Sequence, residues 1–456
     1  MEYIVASCSD QSIVDRIRKV VEEDFQNEFL LQFPITEKAI VERLNFELPE
    51  LVIINFSDEG LNPDYLKDQI LSDAWLHNFG IVGLYDRKKN QEEEILQANK
   101  DINLLTLIDF TRIESHLGKT LRIINANRQL IFQGFLADKL VTRMTGSFQI
   151  DNHDYLVAPV YGGLLAISLV RMGKIPSEDR HGVQMALSEL ILNSIEHGNC
   201  GISYAEKTEW LATGEAIYEL IVNRCSDPKI ATRKVYLDWD FGDDSCRFTI
   251  RDDGDGFDVL AFRNKLKHDA NDRLHGRGIV MAQMVADRLL YNKKGNKVSM
   301  VINLDRDVPH AAPAGFSDEE VIHVKAGDTL MRAGEFGDCI YYISSGKYTV
   351  YHRDNPVGRI TPADIFMGEM AFLLNNARSA TVVADTVGQV IKIPRKSFIE
   401  VVKNYPQYSI FLSKILAQKL VRSNESVAAE YLAAQADRCA DDDPDIVEVE
   451  AAALQS

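Results

Sequence analysis

The sequence predicts a multidomain chain: an α/β domain, then an α+β domain, then a β domain with flanking helices. Three observations predict it. Strand-like and helix-like runs alternate over residues 1–115. A long helical motif is then followed by two strand-like runs within residues 145–305. Beyond a stretch holding Pro309, Pro313 and Gly315, short strands are punctuated by glycine. A length of 456 residues suits about three domains.

In the first part, residues 3–8 read as a short apolar strand and residues 12–23 carry helical apolar spacing. Residues 51–56 form a continuous apolar run, and 81–84 and 104–108 repeat that type. Such alternation predicts a parallel sheet with helices on both faces. Order and size resemble a flavodoxin-like response-regulator receiver domain over residues 1–120. The departures define the resemblance. Where a receiver carries its phosphorylated aspartate, Leu51-Val52-Ile53-Ile54-Asn55-Phe56 places Asn55, which cannot form an acyl phosphate. The acidic pair after the first strand is reduced to Ser9-Asp10, and no lysine stands near Ile108-Asp109. The resemblance therefore implies a degenerate receiver used for docking or dimerisation. Residues 121–144 read as a helical connector.

In the second part, 147–150 begins a strand and 155–171 reads as a mostly apolar helix. The central motif follows: Ser188-Glu189-Leu190-Ile191-Leu192-Asn193-Ser194-Ile195-Glu196-His197-Gly198-Asn199. Glu189, Asn193 and His197 recur every four residues, which puts them on one polar helical stripe. An asparagine there can offer a neutral oxygen to Mg²⁺, which takes few protein ligands besides phosphate. A glutamate one turn earlier can accept a proton. After strand runs at 235–241 and 246–251 comes Asp252-Asp253-Gly254-Asp255-Gly256. A buried carboxylate at Asp252 can accept from an adenine amino group, and Gly254 and Gly256 let backbone approach the base. A third motif, His275-Gly276-Arg277-Gly278, leads into a helical run at 280–290. Its glycines and a helix N-terminus can cradle phosphates, with Arg273 and Arg277 adding positive charge.

In this order the three motifs resemble the N, G1 and G2 boxes of the GHKL (HATPase-type) ATPase superfamily, over residues 145–305. The phrase S-E-x-x-x-N-S-x-x-H-G resembles the anti-sigma-factor serine kinases of bacterial partner switching. The resemblance implies an α/β sandwich with ATP beneath a lid at 265–277. It also implies γ-phosphoryl transfer to a serine or threonine of a small antagonist or sigma-factor-like partner. By that match Glu189 is the general base, Asn193 the Mg²⁺ ligand and Asp252 the adenine reader. His197, Gly254, Gly256, Arg273, Gly276, Arg277 and Gly278 complete the ATP site. Residues 204–234 depart from the compact family pattern as an extra, partly helical segment.

The third part follows a linker at 306–316. Gly327, Gly334, Gly337, Gly346 and Gly358 mark turns between short strands, which suggests a β-barrel or sandwich. The informative stretch is Phe366-Met367-Gly368-Glu369-Met370-Ala371, then Arg378-Ser379-Ala380. A cyclic nucleotide presents one anionic phosphodiester and one ribose 2′-hydroxyl. A guanidinium (Arg378), backbone N–H groups of a helical turn (Gly368, Glu369, Met370, Ala371), a hydroxyl (Ser379) and a carboxylate (Glu369) match those needs. The stretch resembles the phosphate-binding cassette of the cyclic-nucleotide-binding family, a β-roll with flanking helices, over residues 317–425. Met367 departs from it by standing between the aromatic residue and glycine, as if lengthening the turn. No feature dictates guanine, which favours cAMP over cGMP. Residues 406–422 return to helical periodicity, and 426–456 read as a helical extension with an acidic, disordered tail.

Composition narrows the function classes. A formal charge of −18 argues against broad nucleic-acid affinity. No apolar run reaches the roughly 18 residues of a membrane span, and the N-terminus lacks signal-peptide character, so a cytoplasmic protein is expected. The six cysteines are dispersed without a C-x-x-C pair and read as single buried thiols. Three readings follow: a cyclic-nucleotide-regulated serine/threonine kinase, a non-catalytic nucleotide-sensing adaptor, or a histidine kinase using His116. A homodimer is compatible with each.

Overall fold

The computed structural model describes residues 2–25, 28–73, 76–77, 79–128, 130, 144–242, 244–259, 282–304, 314–417 and 419–420. The sequence-predicted linker (except residues 314–316), most of the 121–144 connector, the lid and the acidic tail lie outside them.

Strands β1 (Glu2–Ser7), β2 (Phe29–Gln32), β3 (Leu51–Asn55), β4 (Gly80–Tyr85) and β5 (Leu104–Asp109) form a parallel sheet of order β2-β1-β3-β4-β5. Helices α1 (Gln11–Asp24), α2 (Glu37–Glu47), α3 (Pro63–Ser72) and α4 (Glu92–Ala98) connect them. Every residue of β3 and β4 is buried, as expected where helices cover both faces. Local chemistry starts the helices: the Asp10 side chain accepts from Ser12 N–H, and Asn62 caps α3 ahead of Pro63. At the end of β3, Asn55 is 1% exposed; its amide donates to Asp58 (3.2 Å) and accepts from Ser57 N–H (2.9 Å). Burial alone would raise the Asp58 carboxyl, but hydrogen bonds from Ser9, Gly60 and Leu61 hold it below the usual range.

Beyond β5 the chain passes through short 3₁₀ and π turns into α5 (Gly118–Ala126). Strand β6 (Met144–Asp151) then joins β7 (Lys234–Phe241), β8 (Ser245–Asp252), β9 (Arg288–Tyr291) and β10 (Lys297–Asn303). Their antiparallel order is β6-β7-β8-β10-β9. Helices α6 (Pro159–Arg171) and α7 (Arg180–Asn193) pack against it. The helix expected from residue 155 begins at Pro159, after a turn. The helical run expected at 280–290 is a strand at its end: residues 282–285 are helical, and Arg288–Tyr291 pairs with β10. Pairing to an existing sheet edge overrides the weak local period.

One apolar core runs through both sheets. Ile17, Leu105, Leu121, Leu164, Leu187 and Phe248 all belong to it, each fully buried. Adjacent glycines in α6 make this possible. A Cβ at Gly162 would stand 3.1 Å from the Gln184 carbonyl, and one at Gly163 would stand 3.1 Å from Leu105 Cδ2. A second core, with Val5, Ile40, Val52 and Leu66, covers the other face of the first sheet. The extra segment forms α8 (Tyr204–Ala212), α9 (Ile217–Arg224) and one short turn of helix, Pro228–Ala231. Cys200 and Cys225 are buried free thiols, as expected, and burial pushes Cys200 up to about 12.

Strands β11 (Glu320–Val324), β12 (Thr329–Met331), β13 (Cys339–Ser345), β14 (Tyr348–His352), β15 (Asn355–Ile360), β16 (Phe366–Met367), β17 (Thr381–Ala384) and β18 (Gly388–Pro394) make two four-stranded sheets. Their orders are β11-β18-β13-β16 and β12-β17-β14-β15. The pairs are antiparallel, and Val324, Ile343, Tyr348 and Val390 lie in the core. Two expectations are corrected. Gly358 is not a turn; it pairs with Val350 within β15. Met367 does not lengthen a turn; it pairs with Tyr341 in β16 and is buried in the core. Helices α10 (Glu369–Leu374) and α11 (Arg395–Asn404) complete this part. A second compact unit begins at Pro406; residues 407–417 and 419–420 of it are helical.

Candidate nucleotide-binding sites

Helix α7 carries Glu189 and Asn193 one turn apart, both half-buried. The stripe predicted through His197 does not continue. At Ser194–Asn199 the helix widens into a π turn, closed by Cys200 N–H to Ile195 O at 2.9 Å. The wider turn rotates later side chains away from the α-helical stripe. His197 Nδ1 faces the Ile202 carbonyl, and its ring lies 4.1 Å from that of Tyr204. Its Nε2 is buried without a hydrogen-bond partner among the described residues. Burial lowers its pKa, so the ring is neutral near pH 7.

Burial raises the Glu189 carboxyl, the negative charge of Glu196 adds to this, and the positive charge of Lys207 opposes it. Glu196 is 1% exposed; it accepts from Tyr155 Oη (2.6 Å) and Lys207 Nζ (2.6 Å). Asn199 is fully buried and joins three segments. Its amide donates to Asn152 (2.8 Å) and accepts from Asp253 N–H (3.0 Å), while its carbonyl accepts from Arg233 (2.7 Å). Glu196, Asn199 and Lys207 were not singled out from sequence. The first two stand inside the quoted motif, where a charge and an amide beside apolar residues were the available signal.

Asp252 ends β8 at 6% exposure. Its Oδ1 accepts from Gly254 N–H (2.9 Å), and its carbonyl accepts from Asn296 (2.9 Å). Burial pushes its carboxyl up to about 6, against the Gly254 hydrogen bond and the Lys294 charge. Lys294 in turn donates to the Gly254 carbonyl at 2.9 Å. The first two motifs meet here. A Cβ at Gly198 would overlap the Asp252 carboxylate, and one at Gly254 would overlap the Gly198 carbonyl. Gly256 has φ +79 with the Lys294 carbonyl against it, so a side chain there is excluded twice. Arg273, Gly276, Arg277 and Gly278 lie outside the described residues. The glycine-lined carboxylate, the amide of Asn193 and the unpartnered His197 Nε2 suit a flat base with an amino donor and a polyphosphate.

In the last part Gly368 has φ +80 and caps α10, and a Cβ there would overlap Arg378. Arg378 is 5% exposed. It donates to the carbonyls of Gly368 and Cys339, each at 2.7 Å, and to Cys339 Sγ at 3.4 Å. Glu369 is half-exposed, Ala371 buried and Ser379 exposed. Met370 is 60% exposed. The two carbonyls hold the buried guanidinium against the glycine turn. Cys339, its second carbonyl partner, was not foreseen.

Two families match. Residues 321–405 match the family described as Cyclic nucleotide-binding domain, and residues 163–302 match Histidine kinase-like ATPase domain. Both domains are present in the chain. A cGMP-dependent protein kinase of Plasmodium berghei (strain Anka) is 38% identical over 72 residues, 16% of this chain and 8% of that protein. A cAMP-dependent protein kinase type II regulatory subunit of Drosophila melanogaster is 40% identical over 75 residues, 16% of this chain and 20% of that protein. The chain thus spans a fifth or less of these relatives. A crystal structure of Thermus thermophilus Catabolite Activator Protein matches at TM-score 0.24 and 20% identity, covering 26% of this chain and 57% of that one. Among the described residues, no helix is long and apolar enough to cross a membrane.

Proposed function

We propose that the chain is a cyclic-nucleotide-regulated protein kinase of the anti-sigma-factor type, moving the γ-phosphoryl group of ATP to a serine or threonine of a partner protein. The observation that carries this reading is the pairing of Glu189 and Asn193 on α7 with the Gly198–Asp252–Gly254 cradle beyond it. On this reading residues 1–120 are a receiver-like docking domain and 121–144 a connector. Residues 145–305 form the ATP module, 306–316 a linker, 317–425 the cyclic-nucleotide module and 426–456 a helical extension and tail. The parallel order β2-β1-β3-β4-β5 supports the receiver-like assignment, and a buried Asn55 supports its loss of phosphorylation.

Asp252, ionised above its raised pKa, accepts from the adenine amino group. Asn193 holds Mg²⁺, which spreads the charge of the triphosphate when bound. Glu189 takes the hydroxyl proton of the acceptor residue as the new O–P bond forms. The bond from the γ-phosphorus to its bridging oxygen breaks, and ADP leaves with that electron pair. A raised carboxyl suits Glu189 for this, because a base closer to neutral pH holds the proton better. In the last domain Arg378 meets the cyclic phosphodiester and Glu369 the ribose hydroxyl, with cAMP preferred. The protein works in the cytoplasm, as a monomer or a homodimer.

The test incubates the full chain with labelled ATP-Mg²⁺ and candidate partners, with and without cAMP. Transfer to a serine or threonine, lost in Glu189→Gln, is expected. ATP binding with identical behaviour of wild type and Glu189→Gln refutes the kinase and leaves a nucleotide-sensing adaptor.

A further inference from the structure

We infer that Lys207, carried by the extra segment, is a positioning residue for the ATP site: it neutralises Glu196 so that a triphosphate can sit beside Glu189. The inference rests on the ATP reading above and concerns a residue outside all three nucleotide motifs. Helix α8 is held in place by its own contacts. Ser203 caps it, Glu206 pairs with Arg224 of α9 (2.5 Å), and Trp210 donates to the Ala216 carbonyl (3.0 Å). From there Lys207 reaches back to Glu196.

Glu196 is the difficulty the site must solve. It is a carboxylate with a 2% exposed side chain, one turn from Asn193, and shares its surroundings with Glu189. A buried charge is tolerated when it is paired and its lone pairs are occupied. Tyr155 occupies one oxygen and Lys207 the other. Other ionisable neighbours are His197, held neutral, with its Nε2 3.8 Å from Glu196, and Tyr204, whose ring lies tilted 4.1 Å from that of His197. Neither supplies positive charge. Without Lys207 the polyanionic triphosphate would face Glu189 and an uncompensated Glu196, since no other ammonium is paired with Glu196 among the described residues. The segment that departs from the compact pattern thus brings a cation that the first motif lacks.

The test is calorimetric titration of the full chain with ATP-Mg²⁺. Lys207→Met is expected to bind roughly tenfold more weakly, the size of one uncompensated charge about 10 Å away at an effective dielectric of about 20. Lys207→Arg should retain most of the affinity. The double variant Lys207→Met with Glu196→Gln should recover it, because the charge that needed compensation is gone; circular dichroism and thermal melts verify folding. Recovery separates charge compensation from direct phosphate contact and from a purely structural role. The inference is overturned if Lys207→Met binds as wild type or if the double variant stays as weak as the single one. Absence of ATP binding in the wild type would instead overturn the ATP reading beneath it.

Discussion

Replacing Asp252 by asparagine should stabilise the protein at neutral pH while removing the acceptor proposed for adenine. The carboxyl is raised from 3.8 to about 6 by burial. The sign follows from linkage. The folded state holds this proton more tightly than the unfolded state, so stability falls as pH rises from about 4 to about 6. Above that range the penalty is complete. At 1.36 kcal/mol per pH unit, the gap amounts to about 3 kcal/mol. Asparagine keeps an oxygen for the Gly254 N–H but carries no charge to desolvate. Urea unfolding, followed by the fluorescence of buried Trp239 in the same sheet, should separate the two proteins by up to about 3 kcal/mol at pH 7.5 and merge them near pH 4. A difference that does not vary with pH, or a variant less stable at pH 7.5, would refute the assignment of the penalty to Asp252. The same variant should bind ATP more weakly, so stability and affinity move in opposite directions.

Two further outcomes are expected. Arg180 is 2% exposed and donates to the carbonyls of Lys100 and Ile102, both at 2.5 Å. Arg180→Met strands these acceptors and should destabilise the protein by about 3 kcal/mol, at 1–3 kcal/mol for each unsatisfied group. Hydrogen exchange should show the loosening first in β5; unchanged protection there would contradict the role given to this arginine. Arg378→Lys replaces a fork bridging two carbonyls with a single ammonium. Its affinity for cAMP should fall at least tenfold in calorimetric titration, and a variant binding cAMP as wild type would remove Arg378 from the site.

The legible parts of the sequence were those governed by period. Continuous apolar runs at β3, β4 and β5 announced a sheet covered on both faces, and four-residue spacing put Glu189 and Asn193 on one face of α7. The failures have physical causes. His197 was drawn onto the stripe because a π turn leaves no mark in apolar spacing. The apolar spacing extends the helix over Arg288–Leu290 because so short a run cannot reveal that an edge strand awaits it. Met367 was judged against a turn, whereas its side chain fills the barrel core. The pair of Lys207 with Glu196 joins residues from different helices, and no local pattern encodes it.

The shared core changes what a docking role for the N-terminal sheet can mean. Helix α7 is a 14-residue rod with its ends in different neighbourhoods. Its first residue, Arg180, holds carbonyls just before β5, and Gln184, one turn on, donates to Leu104 and Leu105 carbonyls at 3.0 and 3.2 Å. Its far end carries Glu189 and Asn193 and runs into Gly198 against Asp252. No flexible joint intervenes among these residues, and Gly162 and Gly163 let α6 press against the same contacts. Close-packed interiors transmit displacement because they do not compress. A partner that shifts β5 therefore shifts the base and amide of the proposed ATP site together. A partner on β2, at the opposite edge of the sheet, must act through three intervening strands. Of the two edges of that sheet, the one with leverage on nucleotide binding is the one already buried against α6 and α7.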